Sequence, residues 1–208
     1  MNNQKIIIIN YNMGNLGSIV NMIKKIGYSC LVTSDVNEIL KAYKIILPGV
    51  GSFDYGIKNL KSLGIYDVIF KKVLDGKTPI LGICLGMQIL TEGSEEGTEK
   101  GFGFIKGFAR KFDFKDNKLK IPHIGWNTIN IKKNSKLFKD MESQENRFYF
   151  VHSYAVECDD KKDILTTTFY GYEFVSSFEK ENVIGVQFHP EKSHKFGMQL
   201  LRNFIEEY

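Results

Sequence analysis

The sequence has no long apolar run and no block of like charges. Its N-terminal apolar run, residues 6–9, is four residues long, whereas a membrane span needs about 20 residues and a signal peptide has a longer apolar core. The 28 Lys and Arg and 24 Asp and Glu residues are interspersed and give a net charge of +4. This pattern is typical of a solvated surface. We therefore expect a cytoplasmic protein that binds neither membrane nor nucleic acid.

Cysteine is scarce as well. The three cysteines, Cys30, Cys84 and Cys158, are an odd number and lack the spacing of a metal site. In a reducing compartment such residues are thiols. We expect no metal and no cofactor, and the sequence has no internal repeat or low-complexity segment.

Strand and helix signals alternate in the first part of the chain, and the 208 residues predict a single domain, 1–208. Apolar runs predict strands at 6–10, 29–34, 44–47 and 79–83, and helical spacing predicts helices at 16–27, 35–43 and 54–73, the last interrupted near Gly64. Residues from about 100 to 180 predict a β-rich addition with hairpins, followed by a strand at 182–188 and a helix at 194–207. The pattern indicates an α/β fold with a mostly parallel sheet and helices on both faces.

Cys84 lies in the segment GICLGMQ, on the predicted turn between a strand and a helix. Gly82 and Gly86 flank it in a G-x-C-x-G pattern, the cysteine counterpart of a nucleophile elbow. Such a turn lifts the sulfur out of the sheet, and the helix N-terminus favours its thiolate. The cysteine by itself fits a buried structural thiol equally well.

His189 ends the last predicted strand, and Pro190 and Glu191 follow it. The carboxylate of Glu191 could orient the imidazole as the third member of a triad does. The alternative is a turn capped by polar residues, since short motifs often match by accident. Together with Cys84, the segment supplies a nucleophile, a base and an orienting group.

These motifs resemble those of a known enzyme family. GICLGMQ, LPGVGSF and VQFHPEKS resemble the class I (triad) glutamine amidotransferases, and NMGNLGS, SEEG, KIPHIGWN and YFVHSY are similar to the glutaminase subunits of imidazole glycerol phosphate synthases. The resemblance covers the chain from end to end. It implies a flavodoxin-like fold and hydrolysis of L-glutamine to glutamate and ammonia. It also implies a heterodimer with a (β/α)₈-barrel cyclase, which uses the ammonia to make imidazole glycerol phosphate and an aminoimidazole carboxamide ribonucleotide in histidine biosynthesis.

The resemblance also implies a role for individual residues. Cys84 would attack the glutamine amide, His189 would transfer protons and Glu191 would hold His189. The oxyanion hole would use the N–H of Leu85 and one from the segment Gly49, Val50 and Gly51, whose glycines let a peptide turn. A phosphate cradle is the rival interpretation of PGVG, but no Lys-Ser/Thr follows it.

Two further groups of residues follow from the resemblance alone. Substrate-binding residues would be Gln88, Glu96, His152, Ser153 and Tyr154, and residues facing the partner would be His123, Trp126, Asn127 and Tyr149. For Gln88 and Glu96 the alternative is a solvated helix face and loop. A lone Trp is more often part of a core than of a contact.

The sequence departs from the family pattern in its first motif, where Asn10-Tyr11-Asn12 replaces Asp-Tyr-Gly. The tail HPEKSHKFG also suits a branch of the family that supplies ammonia for amidination of a surface-glycan sugar, on lipopolysaccharide or flagellin. Two other classes stay open: another Cys–His hydrolase such as a peptidase, and a catalytically inactive interaction module.

Overall fold

A computed structural model describes residues 5–114, 119–141 and 145–208; the predicted domain, 1–208, includes residues outside these ranges. The strands are β1 Lys5–Ile9, β2 Cys30–Thr33, β3 Ala42–Gly49, β4 Ile80–Cys84, β5 Gly93–Ser94, β6 Gly107–Lys111, β7 His123–Thr128, β8 Asn130–Ile131, β9 Arg147–His152, β10 Tyr154–Cys158, β11 Ile164–Tyr170, β12 Tyr172–Lys180 and β13 Val183–Val186. The α-helices are α1 Leu16–Lys25, α2 Val36–Leu40, α3 Phe53–Ser62, α4 Tyr66–Leu74, α5 Leu85–Ile89 and α6 His194–Glu207. No helix in the described ranges is long and apolar enough to cross a membrane.

Five parallel strands in the order β2-β1-β3-β4-β13 form the centre of the main sheet. Strands such as β1, with four consecutive isoleucines, are buried on both faces, which is what a sheet covered by helices on each side requires. The predicted α/β fold with a mostly parallel central sheet is confirmed.

Antiparallel strands extend the same sheet beyond β13. The order continues β12-β10-β6, and β11 pairs with β12 in a hairpin that turns at Gly171, where φ is +76°. β7 and β9 form a separate antiparallel pair, which we call the β7–β9 ribbon. The β-rich addition is therefore confirmed, although most of it continues the central sheet.

Helices cover both faces of the sheet and divide the core into two clusters. Ile19 and Ile23 of α1 and Leu200, Leu201 and Phe204 of α6 pack in one cluster. The apolar faces of α3, α4 and α5 pack in the other. The predicted helix breaks at Gly27 and Gly64 occur where φ is +94° and +68°, conformations that glycine adopts without steric cost.

Candidate active site

Cys84 lies on a strained turn between β4 and α5. Its φ and ψ are 55° and −111°, in a region that costs a non-glycine residue about 1–3 kcal/mol. A Cβ atom on Gly86 would overlap the Leu47 carbonyl, and one on Gly82 would come within 2.6 Å of the Gly86 oxygen. The two glycines are therefore needed for the close packing of this turn.

His189 and Glu191 lie just beyond β13, the strand next to β4. His189 Nδ1 and Glu191 Oε1 are 2.7 Å apart, and both side chains are almost completely buried. Because the carboxylate accepts, Nδ1 carries a hydrogen, and Nε2 has no hydrogen-bond partner in the described structure. Burial opposes the charge on His189, but the neighbouring Cys84 and Glu191 raise its pKa.

The backbone around His189 is fixed by neighbouring elements. Its N–H donates to the Tyr149 carbonyl at 2.9 Å, and its own carbonyl accepts from Ser193 Oγ at 2.6 Å. Gly197 lets α6 pack directly against the Pro190 carbonyl. The imidazole is thus held both by its carboxylate partner and by its main chain.

A cavity of about 290 Å³ opens beside Cys84. Its lining residues are Val50, Gly51, Cys84, Leu85, Gln88, Glu96, Pro122, Val151, His152, Ser153 and Tyr154. All five residues predicted to bind substrate are therefore brought together around the predicted nucleophile. Gly49 pairs with Cys84 in the register of β3 and β4, which places the predicted oxyanion segment beside the turn.

Gln88 and Glu96 differ in their surroundings. Gln88 is buried and its Nε2 donates to the Tyr154 carbonyl at 3.3 Å, so the alternative of a solvated helix face is wrong. Glu96 is exposed, and its Oε2 accepts from the Phe53 N–H at 2.8 Å. This carboxylate therefore also satisfies the N-terminus of α3, a structural role that the sequence did not predict.

Gln187 lies beside the proposed site, although no sequence motif predicted it. It is completely buried, accepts from Gln88 Nε2 at 3.2 Å, and its Nε2 lies 3.7 Å from Cys84 Sγ. A usable signal was its position two residues before His189, because the sequence predicts a strand over 182–188 and residues two apart on a strand lie on the same face.

His123 and His152 form a buried hydrogen-bonded pair. His152 Nδ1 donates to the Tyr154 carbonyl at 2.8 Å, so its Nε2 accepts from His123 Nδ1 at 3.1 Å. His123 Nε2 in turn accepts from Asn127 Nδ2 at 3.3 Å. Both rings are neutral in this arrangement, and burial lowers the pKa of His123 to about 4 and that of His152 to about 3.

Of the four residues predicted to face a partner, His123 is the most buried. Its side chain is only 3% exposed, because the ring stacks against Tyr170 and Phe150 with centroids 4.0 and 4.9 Å away. The other three candidates lie nearer the surface. Trp126 is 46% exposed, while Asn127 and Tyr149 are half-buried on the same β7–β9 ribbon.

Cys30 and Cys158 differ from Cys84 in position and environment. Cys30 is the first residue of β2, and Cys158 is the last residue of β10, two residues before the Asp160 cap of a short 3₁₀ helix. Burial raises the pKa of both thiols, that of Cys158 to about 12. Neither has the environment of a reactive thiolate.

Comparison with known proteins agrees with the observed fold. The family described as Glutamine amidotransferase class-I matches residues 7–208. The chain belongs to the class I glutamine amidotransferase family. It is 58% identical to imidazole glycerol phosphate synthase subunit HisH 2 of Methanococcus maripaludis, covering 97% of this chain and 99% of the relative.

Two other similarities extend the comparison. A subunit of the same name, HisH 2, from Pseudomonas aeruginosa is 43% identical over 97% of this chain and 98% of its own length. A solved structure described as a glutamine amidotransferase has a TM-score of 0.75 at 16% identity, covering 96% of this chain and 97% of that one. The structural likeness supports the fold, and the sequence relatives support the family.

Proposed function

We propose that the chain hydrolyses L-glutamine to glutamate and ammonia through Cys84, His189 and Glu191. Cys84 Sγ attacks the side-chain carboxamide carbon while His189 Nε2 accepts the thiol proton. The amide nitrogen of the tetrahedral intermediate then takes a proton from the imidazolium and leaves as ammonia, and water hydrolyses the resulting thioester to glutamate. The observation that carries this proposal is the His189–Glu191 hydrogen bond, which leaves Nε2 without a partner in the described structure, in the neighbourhood of Cys84 on its strained turn.

The remaining pocket residues would bind glutamine and stabilise its transition state. The N–H of Leu85, the first residue of α5, and that of Val50 would donate to the oxyanion. Glu96 would bind the α-ammonium with the oxygen that does not cap α3. Gln88 and the backbone of His152, Ser153 and Tyr154 would complete the glutamine site.

We propose that the ammonia passes to a (β/α)₈-barrel cyclase, a HisF-like subunit, in a cytoplasmic heterodimer. The relatives' name, imidazole glycerol phosphate synthase subunit, supports this assignment. The barrel would use the ammonia and a phosphorylated ribulosyl formimino-carboxamide nucleotide to make imidazole glycerol phosphate and an aminoimidazole carboxamide ribonucleotide. The exposed Ile124 and Trp126 of the β7–β9 ribbon supply an apolar surface for this partner, next to the pocket.

The isolated chain should be a poor glutaminase, because free hydrolysis would waste glutamine. The oxyanion segment is the element that can change: Val50 is 43% exposed and Gly51 has a φ of +109°. Partner and acceptor would favour the conformation in which a segment N–H faces the amide oxygen.

Labelling and turnover test the proposal together. An electrophilic glutamine analogue should modify Cys84, and glutamine hydrolysis should rise when the barrel subunit and its acceptor are added. Loss of activity through labelling of Cys30 or Cys158 would refute the assignment of Cys84 as the nucleophile. Equal rates of glutamine hydrolysis with and without the partner would refute activation of the oxyanion segment by the partner.

The surface-glycan branch is the second candidate function. Two relatives carry the number 2 in the name HisH 2, which distinguishes each from another subunit of that name, and this chain has the altered Asn10-Tyr11-Asn12 motif. Deleting the gene in a strain with no second copy separates the two functions. Loss of growth without histidine supports the histidine pathway, whereas normal growth with an altered surface glycan supports the other branch.

A further inference from the structure

Tyr11 carries a buried hydroxyl that the proposed chemistry does not use. The residue is completely buried, and its hydroxyl has no hydrogen-bond partner among the described residues. Burying an unpaired hydroxyl costs about 1–3 kcal/mol, and a phenylalanine would fill the same volume without that cost. An unpaired hydroxyl at such a place indicates a partner that is present in another arrangement of its neighbours.

The hydroxyl lies against the oxyanion segment. A Cβ atom on Gly49 would overlap the Tyr11 oxygen and approach Leu85 Cβ within 2.9 Å. The ring edge faces Gly56 of α3, and Asn59 Nδ2 donates to the Tyr11 carbonyl at 2.9 Å. Tyr11 is thus anchored by its backbone and directed at Gly49, and it is not among the residues that line the glutamine pocket.

The preceding strand explains how Tyr11 reaches this place. β1 ends at Ile9, and Asn12 has a φ of +63°, a left-handed conformation that asparagine tolerates better than most residues. The replacement of the family's glycine by Asn12 therefore preserves the turn. This turn accompanies the entry of the Tyr11 side chain into the core between α3 and α5.

The Gly49–Val50 peptide follows β3, the strand between those that lead to Tyr11 and to Cys84. β3 lies between β1 and β4, with Tyr11 beyond the end of β1 and Cys84 at the end of β4. In a planar peptide the N–H and C=O point in opposite directions. Because the Tyr11 hydroxyl lies directly against Gly49, a rotation of the Gly49–Val50 peptide changes whether its N–H or its carbonyl faces that hydroxyl.

We propose that Tyr11 is a positioning residue for the oxyanion hole, whose hydroxyl donates to the Gly49 carbonyl once the Val50 N–H faces the glutamine amide. This inference rests on the proposed glutaminase function and adds one residue to it. The hydrogen bond favours the active orientation of the peptide, so it acts on kcat. It makes no contact with glutamine, so it leaves KM unchanged.

Tyr11→Phe tests this role by removing only the hydroxyl. In the complex with the barrel subunit and its acceptor nucleotide, kcat for glutamine hydrolysis should fall about tenfold, the value of one hydrogen bond, with KM unchanged. The midpoint of thermal unfolding should stay the same or rise, because an unpaired buried hydroxyl is lost. Alkylation of Cys84 by iodoacetamide should keep its rate, since that reaction forms no oxyanion.

Tyr66→Phe is the matched control. The Tyr66 hydroxyl donates to the Gly101 carbonyl at 2.8 Å, so its removal should lower the unfolding midpoint and leave kcat unchanged. For Tyr11→Phe, an unchanged kcat, a raised KM or a lowered midpoint would overturn the inference. A wild-type complex that does not hydrolyse glutamine would instead refute the proposed function.

Discussion

Cys84 and His189 are separated by more than 100 residues in the sequence, yet both lie at the carboxyl ends of neighbouring strands. Cys84 ends β4 and His189 follows β13, and these two strands pair in parallel. Parallel neighbours present their carboxyl ends at the same edge of the sheet, where α/β proteins place their sites. The position of Glu191 does not depend on strand pairing, because it lies only two residues from His189, with which it shares a hydrogen bond.

His189 and Glu191 should contribute unequally to the rate of glutamine hydrolysis. His189→Ala removes the proton carrier and should lower kcat by roughly 10⁴- to 10⁶-fold. Glu191→Gln keeps the shape of the orienting group and should retain more activity. Steady-state glutamine hydrolysis by the complex measures both, with circular dichroism to verify folding. Equal losses in two folded variants would mean that Glu191 does more than orient His189.

Gly86 and Gly17 are a matched pair of helical glycines with opposite surroundings. A Cβ on Gly86 would overlap the Leu47 carbonyl, whereas one on Gly17 would meet nothing within 4 Å. Gly86→Ala should therefore destabilise the fold by about 2–3 kcal/mol, and Gly17→Ala should stabilise it by about 0.5–1 kcal/mol. Urea unfolding measures both, and a neutral Gly86→Ala would show that the turn at Cys84 can relax.

At the scale of elements, local signals predicted the central fold well. Four isoleucines predicted β1, and Gly64 predicted the break between α3 and α4. Asp35 predicted the start of α2, where its Oδ1 accepts a hydrogen bond from the Glu38 N–H at 3.1 Å. β3 extends to Gly49, beyond the predicted 44–47, because its end pairs with β4, a contact that no local pattern reports.

Non-local pairing also explains what the sequence did not predict. RFYFVHSYAV contains one continuous strand signal, but β9 and β10 separate at Ser153 and join different sheets. The same pairing places His123 opposite His152 and thus buries it. The motifs predicted the proposed nucleophile, the proposed base and the residues that line the pocket, whereas the contacts of Gln187 and the second role of Glu96 needed the tertiary structure.

The buried histidine pair of the β7–β9 ribbon predicts acid sensitivity. The pKa values of about 4 for His123 and about 3 for His152 lie below the ordinary 6.5, so the unfolded chain binds protons first as pH falls. The stability that the neutral rings contribute is present above pH 6.5 and is lost as pH falls toward 4. His152 contributes a slope of at most about 1.4 kcal/mol per pH unit.

Urea unfolding between pH 7 and pH 4 measures this slope. His123→Phe should lower stability at pH 7 but reduce its loss on acidification, because one buried imidazole is gone. Asn127→Ala removes the surface end of the same hydrogen-bonded chain without removing an imidazole, so it should keep the wild-type slope. An unchanged slope in His123→Phe would contradict the assignment.

At the scale of the whole molecule, the β7–β9 ribbon connects the surface to the pocket. Its outer side exposes Ile124 and Trp126, while the Val151 carbonyl lies 3.8 Å from Cys84 Sγ. Tyr149 pairs with Trp126 across the ribbon and forms a backbone bridge to His189. A partner bound on the ribbon would therefore rest on elements that hold the proposed triad.

Trp126→Ala should weaken binding of the barrel subunit. Truncating an interface tryptophan to alanine often lowers the binding free energy by about 2 kcal/mol or more, which corresponds to roughly a 30-fold rise in Kd. Leu40→Ala, an exposed apolar residue on α2, is the control and should leave Kd unchanged. Isothermal titration calorimetry measures both, and equal affinities for the Trp126 variant and the wild type would exclude the ribbon as the docking surface.

In the proposed function, Cys84 releases ammonia from glutamine for synthesis on a partner. The most direct measurement is product formation by the complex of Cys84→Ala with the barrel subunit, driven either by glutamine or by ammonium. Glutamine-driven synthesis should be lost and ammonium-driven synthesis retained, whereas Cys158→Ala should keep both. Glutamine-driven synthesis that survives in Cys84→Ala would contradict this role of Cys84.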